Sequence, residues 1–184
     1  MITGPWARPR GIRVPARSTG EIREAALNAR LGLGINEPCI NMIDLLENRL
    51  RKIGIRFHVV ENHLLPDEAA KAIPEQGRIL VCRDAYDAIY DGDVKQQLLI
   101  PHEFGHFVLK HTITLARATS LTPHPAVEDS EVQADLFSHE FALPVELIRR
   151  HCHSIADIER AFRVPELDAR IRADTLRREN LIDW

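Results

Sequence analysis

The stretch Gln97-Leu98-Leu99-Ile100-Pro101-His102-Glu103-Phe104-Gly105-His106-Phe107-Val108-Leu109 sets an H-E-x-x-H pattern inside an apolar run. A four-residue helical step puts His102 and His106 on one face, where two neutral imidazoles can share one cation. Glu103 projects near the same edge, where it can take a proton from a water on that cation. Because the chain has nine histidines, coincidence is the competing explanation. Against it stands the apolar setting, since polar groups stranded in such a helix carry a desolvation cost. The pattern predicts a helix that holds zinc through His102 and His106, with Glu103 as general base. Pro101 lacks an amide proton, so the regular helix either begins a few residues before it or kinks ahead of His102. Asp93 with Gln96 has the spacing of a cap for that helix.

A catalytic zinc usually takes three protein ligands. The histidine-bearing metzincin pattern would need glycine at 109 and histidine at 112, where this chain has Leu109 and Thr112. His111, five residues beyond His106, points away from the ligand face of a continued helix and reads as a surface or helix-end histidine. The better source is the segment from Glu128 to Phe137, in which Glu131 and Asp135 lie one helical step apart and share a face. Glu131 fits a third ligand. Asp135, one turn later, fits an acceptor for the free N–H of a ligand histidine, which fixes its tautomer. Glu128 and Asp129 are rival acids, and all four also suit a solvated helix N-terminus.

From Glu131 the sequence runs Glu131-x-x-Ala134-Asp135-x-Phe137-Ser138-x-x-Phe141-Ala142-Leu143-Pro144. This stretch resembles the second motif of the ImmA/IrrE family of metallopeptidases, approximately E-x-x-A-N-x-F-A-x-x-L-L-x-P, which follows the family's H-E-x-x-H helix. The departures are Asp135 for asparagine, which keeps an acceptor, and Ser138 for alanine, a small-for-small change. A looser similarity covers roughly residues 14–182, from the entry into the first helix to a closing helix pair around Arg170-Ile171-Arg172. The resemblance implies a zincin-like fold with zinc held by His102, His106 and Glu131.

The rest of the chain bounds the fold. Its 184 residues suffice for one domain with a sizeable core, and a net charge of −3 with 45% hydrophobic residues is ordinary for a globular protein. Aromatics make up only 5%, which predicts an aliphatic core. No apolar run approaches the ~18 residues that span a bilayer, and the N-terminus lacks the apolar stretch of a signal peptide. Cys39, Cys82 and Cys152 are odd in number and without metal-type spacing, as expected of reduced thiols in a cytoplasmic protein. Residues 1–17, with Arg8, Arg10, Arg13 and Arg17 among prolines, read as an extended arm before a domain at 18–184.

Ser18 and Glu21 have capping-box spacing ahead of a helix over 19–31, and a second helix fits about 41–52. Strands are expected at 55–59, with His58 facing solvent, and at 78–82, separated by a loop-rich excursion over 61–77. The 78–83 strand or its neighbour is expected to offer an edge to an extended peptide. The polar stretch 112–125 is long for a connection and reads as a flap. Helices fit about 126–142 and 145–152, with a short pair after Ser154. The fold class is α+β, mostly helical, with a small sheet beside the H-E-x-x-H helix.

The chemistry expected is peptide-bond hydrolysis, with Tyr86, Tyr90, His63 and His124 as candidate oxyanion donors, His124 reading otherwise as a solvated loop residue. The family resemblance implies a regulatory target, a separate helix-turn-helix repressor or antitoxin-like protein, since the length leaves no room for an N-terminal DNA-binding domain. Two other classes compete. The zinc could serve a non-catalytic regulator that binds such a partner. Alternatively, residues 154–178 could form a helix-turn-helix whose Arg160, Arg163, Arg170, Arg172, Arg177 and Arg178 contact phosphates. The interspersed acids Asp157, Glu159, Glu166, Asp168 and Asp174 offset those charges and argue against direct DNA binding.

Overall fold

The computed structural model describes residues 11–111 and 123–184. The arm before residue 11 and most of the expected flap, 112–122, lie outside the described residues. Helix α1 (Thr19–Gly32) starts as its sequence dictates: Ser18 accepts from the Glu21 amide while the Glu21 side chain takes the Ser18 N–H. Helix α2 is built of Met42–Asp44, a π-helical turn Leu45–Arg49, and Leu50–Lys52.

Strands β1 (Arg56–Val60), β2 (Ala70–Ile73) and β3 (Arg78–Cys82) form a sheet ordered β1-β3-β2. β1 runs parallel to β3, and β2 runs antiparallel to it. The central strand is therefore the most apolar, Ile79-Leu80-Val81-Cys82, with Ile79 and Val81 fully buried. β2 falls in the stretch read as an excursion. Four residues, Ala-Lys-Ala-Ile, carry too little β-propensity and alternation to announce a strand, and β2 exists because β3 supplies its partner.

Helix α3 (Arg83–Tyr90) leads through a 3-10 turn, capped by Asp93, to α4 (Leu99–Val108). Asp93 thus caps the turn, and α4 starts two residues before Pro101. Pro101 occupies a first-turn position whose N–H would have no partner in the helix, so the proline costs nothing there. α5 (Ser130–Ala142) follows, capped by Asp129, and then α6 (Val145–His151), α7 (Ile155–Phe162) and α8 (Glu166–Arg178). The molecule is mostly helical α+β with the sheet beside α4, as expected. Among the described residues, no helix is long and apolar enough to cross a membrane.

α5 is the axis of the structure, buried on nearly every side between α1 and α4. The core is largely aliphatic, but Phe104, Phe137 and Phe141 gather behind the motif. Phe104 meets both others edge-on at 5.8 and 5.6 Å, and Phe137 stacks on Phe141 at 5.7 Å. Gly105 is what lets α4 settle on that cluster, because a Cβ there would stand 3.0–3.3 Å from the Phe137 side chain. Phe137 is fully buried and has no room to yield. Gly105→Ala should gain about 1 kcal/mol of helix propensity but lose roughly 1–3 kcal/mol to overpacking. Chemical unfolding should report a net destabilisation of about 1 kcal/mol.

The C-terminal helices close a second apolar cluster around Leu143, Ile148, Ile158, Phe162 and Leu176. Their arginines are engaged within the fold. Arg160, Arg170 and Arg177 pair with Asp157, Glu166 and Asp174 about a turn away, and Arg172 is buried against Glu140.

Candidate metal centre

His102 and His106 reach one point from α4, and Glu131 reaches the same point from the first turn of α5. His102 Nε2 lies 3.2 Å from Glu131 Oε2 and 3.3 Å from His106 Nε2, and His106 Nε2 lies 3.6 Å from Glu131 Oε1. A tetrahedral ion about 2.0–2.1 Å from each donor requires donors about 3.3 Å apart, so the set fits a metal ion without rearrangement. Among the described residues these three form the group able to hold one. Glu128, by contrast, pairs with Arg13, and Asp129 is spent on capping α5 through the Val132 amide.

The carboxylates around the point make it a site for positive charge. Asp135 Oδ1 lies 2.9 Å from His102 Nδ1, the contact expected from their spacing. Burial works against a charge on His102, but the hydrogen bonds to Asp135 and Glu131 prevail and raise its pKa to about 10. Burial dominates at His106 and holds its pKa down to about 4, so that imidazole is neutral and ready to donate a lone pair. The Glu103 carboxyl is pushed up to about 7, chiefly by burial, against the opposing pull of His102 and of the Ala72 amide. That amide donates to Glu103 Oε2 from the outer edge of β2.

These groups line a cleft of about 900 Å³. Ala70-Lys71-Ala72, Gly11-Ile12, Ser130-Glu131, Lys95-Gln96 and Asp168 contribute to its lining. β3 is central, so its neighbour β2 is the strand that meets the site. With the Ala72 N–H directed at Glu103, strand alternation turns the main-chain groups of Ala70 and Ala72 away from β3 and into the cleft.

Residues 11–17 are tied to this site. Val14 and Arg17 donate their amides to the carbonyls of Glu128 and Val127, and Gly11 donates to Asp129 Oδ2 at 2.8 Å. A Cβ on Gly11 would collide with Ser130 and with the Glu131 backbone and side chain, so only glycine passes there. The segment therefore buttresses the third ligand.

The four candidate oxyanion donors are not among the residues lining the cleft. Tyr86 stacks on Phe57 and donates to Glu47 at 2.7 Å. Tyr90 is 71% exposed, and His63 sits in a 3-10 turn after β1. His124 is not a solvated loop residue: its imidazole is buried, 2.9 Å from Asp129 Oδ2.

His111 also departs from its surface reading. The helix does not continue through it. Lys110 adopts a left-handed conformation (φ 59°), the Lys110 amide bonds back to Phe107, and the His111 amide to His106. This is a Schellman ending, which folds the chain back under the helix. The His111 ring is thereby buried, with Nδ1 3.1 Å from His106 Nδ1 and Nε2 3.1 Å from Gln133 Oε1. No histidine spacing signals this. The single clue is the end of the apolar run at Leu109, followed by Lys110.

No protein-family model and no curated protein matches the chain. Among solved structures, the fold is similar to that of a Mycobacterium tuberculosis transcriptional regulator, with a TM-score of 0.56 and 15% sequence identity. The similarity covers 82% of this chain and 45% of that one, so the chain spans less than half of that protein's length.

Proposed function

We propose that the protein is a zinc-dependent endopeptidase. The observation that carries this reading is the convergence of His102, His106 and Glu131 on one point of an open cleft, with the Glu103 carboxylate beside it. Two imidazoles and a carboxylate suit zinc, which, when bound, acts as a Lewis acid and lowers the pKa of water. Glu103 does the proton work. Its Oε2 is held by the Ala72 amide, which leaves Oε1 to take a proton from the attacking water and return it to the departing amine. The outward main-chain groups of Ala70 and Ala72 support an extended peptide as substrate, held by strand-like hydrogen bonds across the site.

The resemblance to the ImmA/IrrE family extends the proposal to a regulatory target, a separate helix-turn-helix repressor or antitoxin-like protein. The structural neighbour, a transcriptional regulator, is in keeping with that setting. Ion pairing of the C-terminal arginines favours a protein substrate over direct DNA binding.

The test has two parts. Metal analysis of the purified full chain should find stoichiometric zinc, lost in Glu131→Ala. The zinc-loaded chain should then produce new N-termini in a proteome-derived peptide mixture, read by mass spectrometry and suppressed by chelation. Zinc uptake that is unchanged in Glu131→Ala rejects the third ligand, and the absence of chelator-sensitive cleavage rejects the peptidase.

A further inference from the structure

We propose that His111 and Gln133 form a relay that fixes the tautomer of His106, leaving its Nε2 lone pair bare and preorganising the metal centre. The inference rests on the metal-binding reading above but not on hydrolysis.

The Gln133 side-chain nitrogen lies 2.9 Å from the Pro15 carbonyl oxygen and 2.7 Å from that of Val127. Carbonyl oxygens only accept, so the amide must present its NH2 to them and spends both protons there. The opposite orientation would set three oxygens against one another. Gln133 Oε1 is therefore an acceptor where it meets His111 Nε2 at 3.1 Å, and that ring nitrogen carries the proton. The remaining nitrogen, His111 Nδ1, then offers a lone pair to His106 Nδ1, 3.1 Å away. His106 Nδ1 is the donor, and its proton is not on Nε2. That is the tautomer a metal ligand needs at the face toward Glu131 and His102.

The two ligand histidines are thus oriented by different means. His102 donates to a carboxylate, Asp135, whereas His106 donates to a second imidazole whose state is set by an amide. The carbonyl of Pro15 belongs to the 11–17 segment that also presses Gly11 against Glu131. That segment consequently reaches two of the three ligands, one by packing and one through the relay. His111 and Gln133 are positioning residues, since neither touches the metal point.

Long-range proton–nitrogen correlation spectra of the 15N-labelled, metal-free full chain read the tautomers directly. His106 is expected with its proton on Nδ1 and His111 with its proton on Nε2; His106 protonated on Nε2 overturns the relay. In parallel, cobalt affinity is measured by chelator competition. His111→Phe keeps the ring volume but removes the acceptor, and should weaken binding roughly 10–100-fold, with Gln133→Leu moving the same way. A folded His111→Phe chain that binds cobalt as tightly as wild type also overturns it. Should His111→Phe fail to fold, the wild-type spectra decide alone. A wild-type chain that takes up neither cobalt nor zinc overturns the metal reading itself, which is a separate failure from a wrong tautomer.

Discussion

Glu103→Gln is expected to cut peptide cleavage by about 10²–10⁴-fold in kcat while leaving metal content and unfolding temperature near their wild-type values. The substitution preserves shape, and a glutamine oxygen can still accept from the Ala72 amide that holds Glu103 Oε2. It removes only the ability to take and return a proton. Glu103 is buried beside the ligands but contributes none of the donors to the metal point, so the metal should stay. The pairing of outcomes is what discriminates. A non-catalytic, metal-bearing regulator would show no cleavage in either form and would bind its partner equally well in both. Loss of cleavage together with loss of metal would mean that Glu103 supports the site structurally. Near-wild-type cleavage would place the base elsewhere and sink the mechanism.

Much of the centre was legible because helical geometry is periodic. His102 and His106 share a face through a step of four, and so do Glu131 and Asp135. The prediction that Asp135 orients a ligand histidine needed only that periodicity and the chemistry of imidazole. His111 defeated the same rule because the rule assumes the helix goes on. The chain instead turns left-handed at Lys110, a residue type that does not advertise that conformation as glycine would. β2 was hidden for a different reason. Its residues have weak preferences of their own, and the hydrogen bonds that define it belong to β3, whose run from Ile79 to Cys82 was readable. Gly11 and Gln133 were illegible in principle, since each matters through a contact more than a hundred residues away in sequence. The phenols of Tyr86 and Tyr90 have the right chemistry for an oxyanion donor, but the fold puts neither in the lining of the cleft.

Glu140→Ala is expected to destabilise the fold by about 3–5 kcal/mol, the largest stability effect of any single side chain considered. Glu140 lies on α5, where Arg172 from α8 grips both its oxygens at 2.7 and 2.6 Å. Arg23 from α1 adds two further bonds at 3.0 Å, so one carboxylate joins three helices. Both side chains of the Glu140–Arg172 pair are only 2% exposed. Removing the acid leaves a guanidinium without a counter-charge in a site that excludes water, and that desolvation cost, rather than the lost attraction, sets the size of the effect. Replacing both partners by apolar residues, Glu140→Leu with Arg172→Met, should therefore recover much of the loss. A double variant no better than Glu140→Ala would contradict this account. The same pair contributes one part of the pH response. Burial raises the Glu140 carboxyl, but Arg172 and Arg23 outweigh it and hold it below the ordinary glutamate range. A depressed folded-state value means the stabilisation is fully present above the unfolded carboxyl's pKa of about 4.3 and is lost as pH falls through the lower folded value. Urea unfolding should show wild-type stability falling more steeply below about pH 4 than that of Glu140→Gln, which has no proton to take up there.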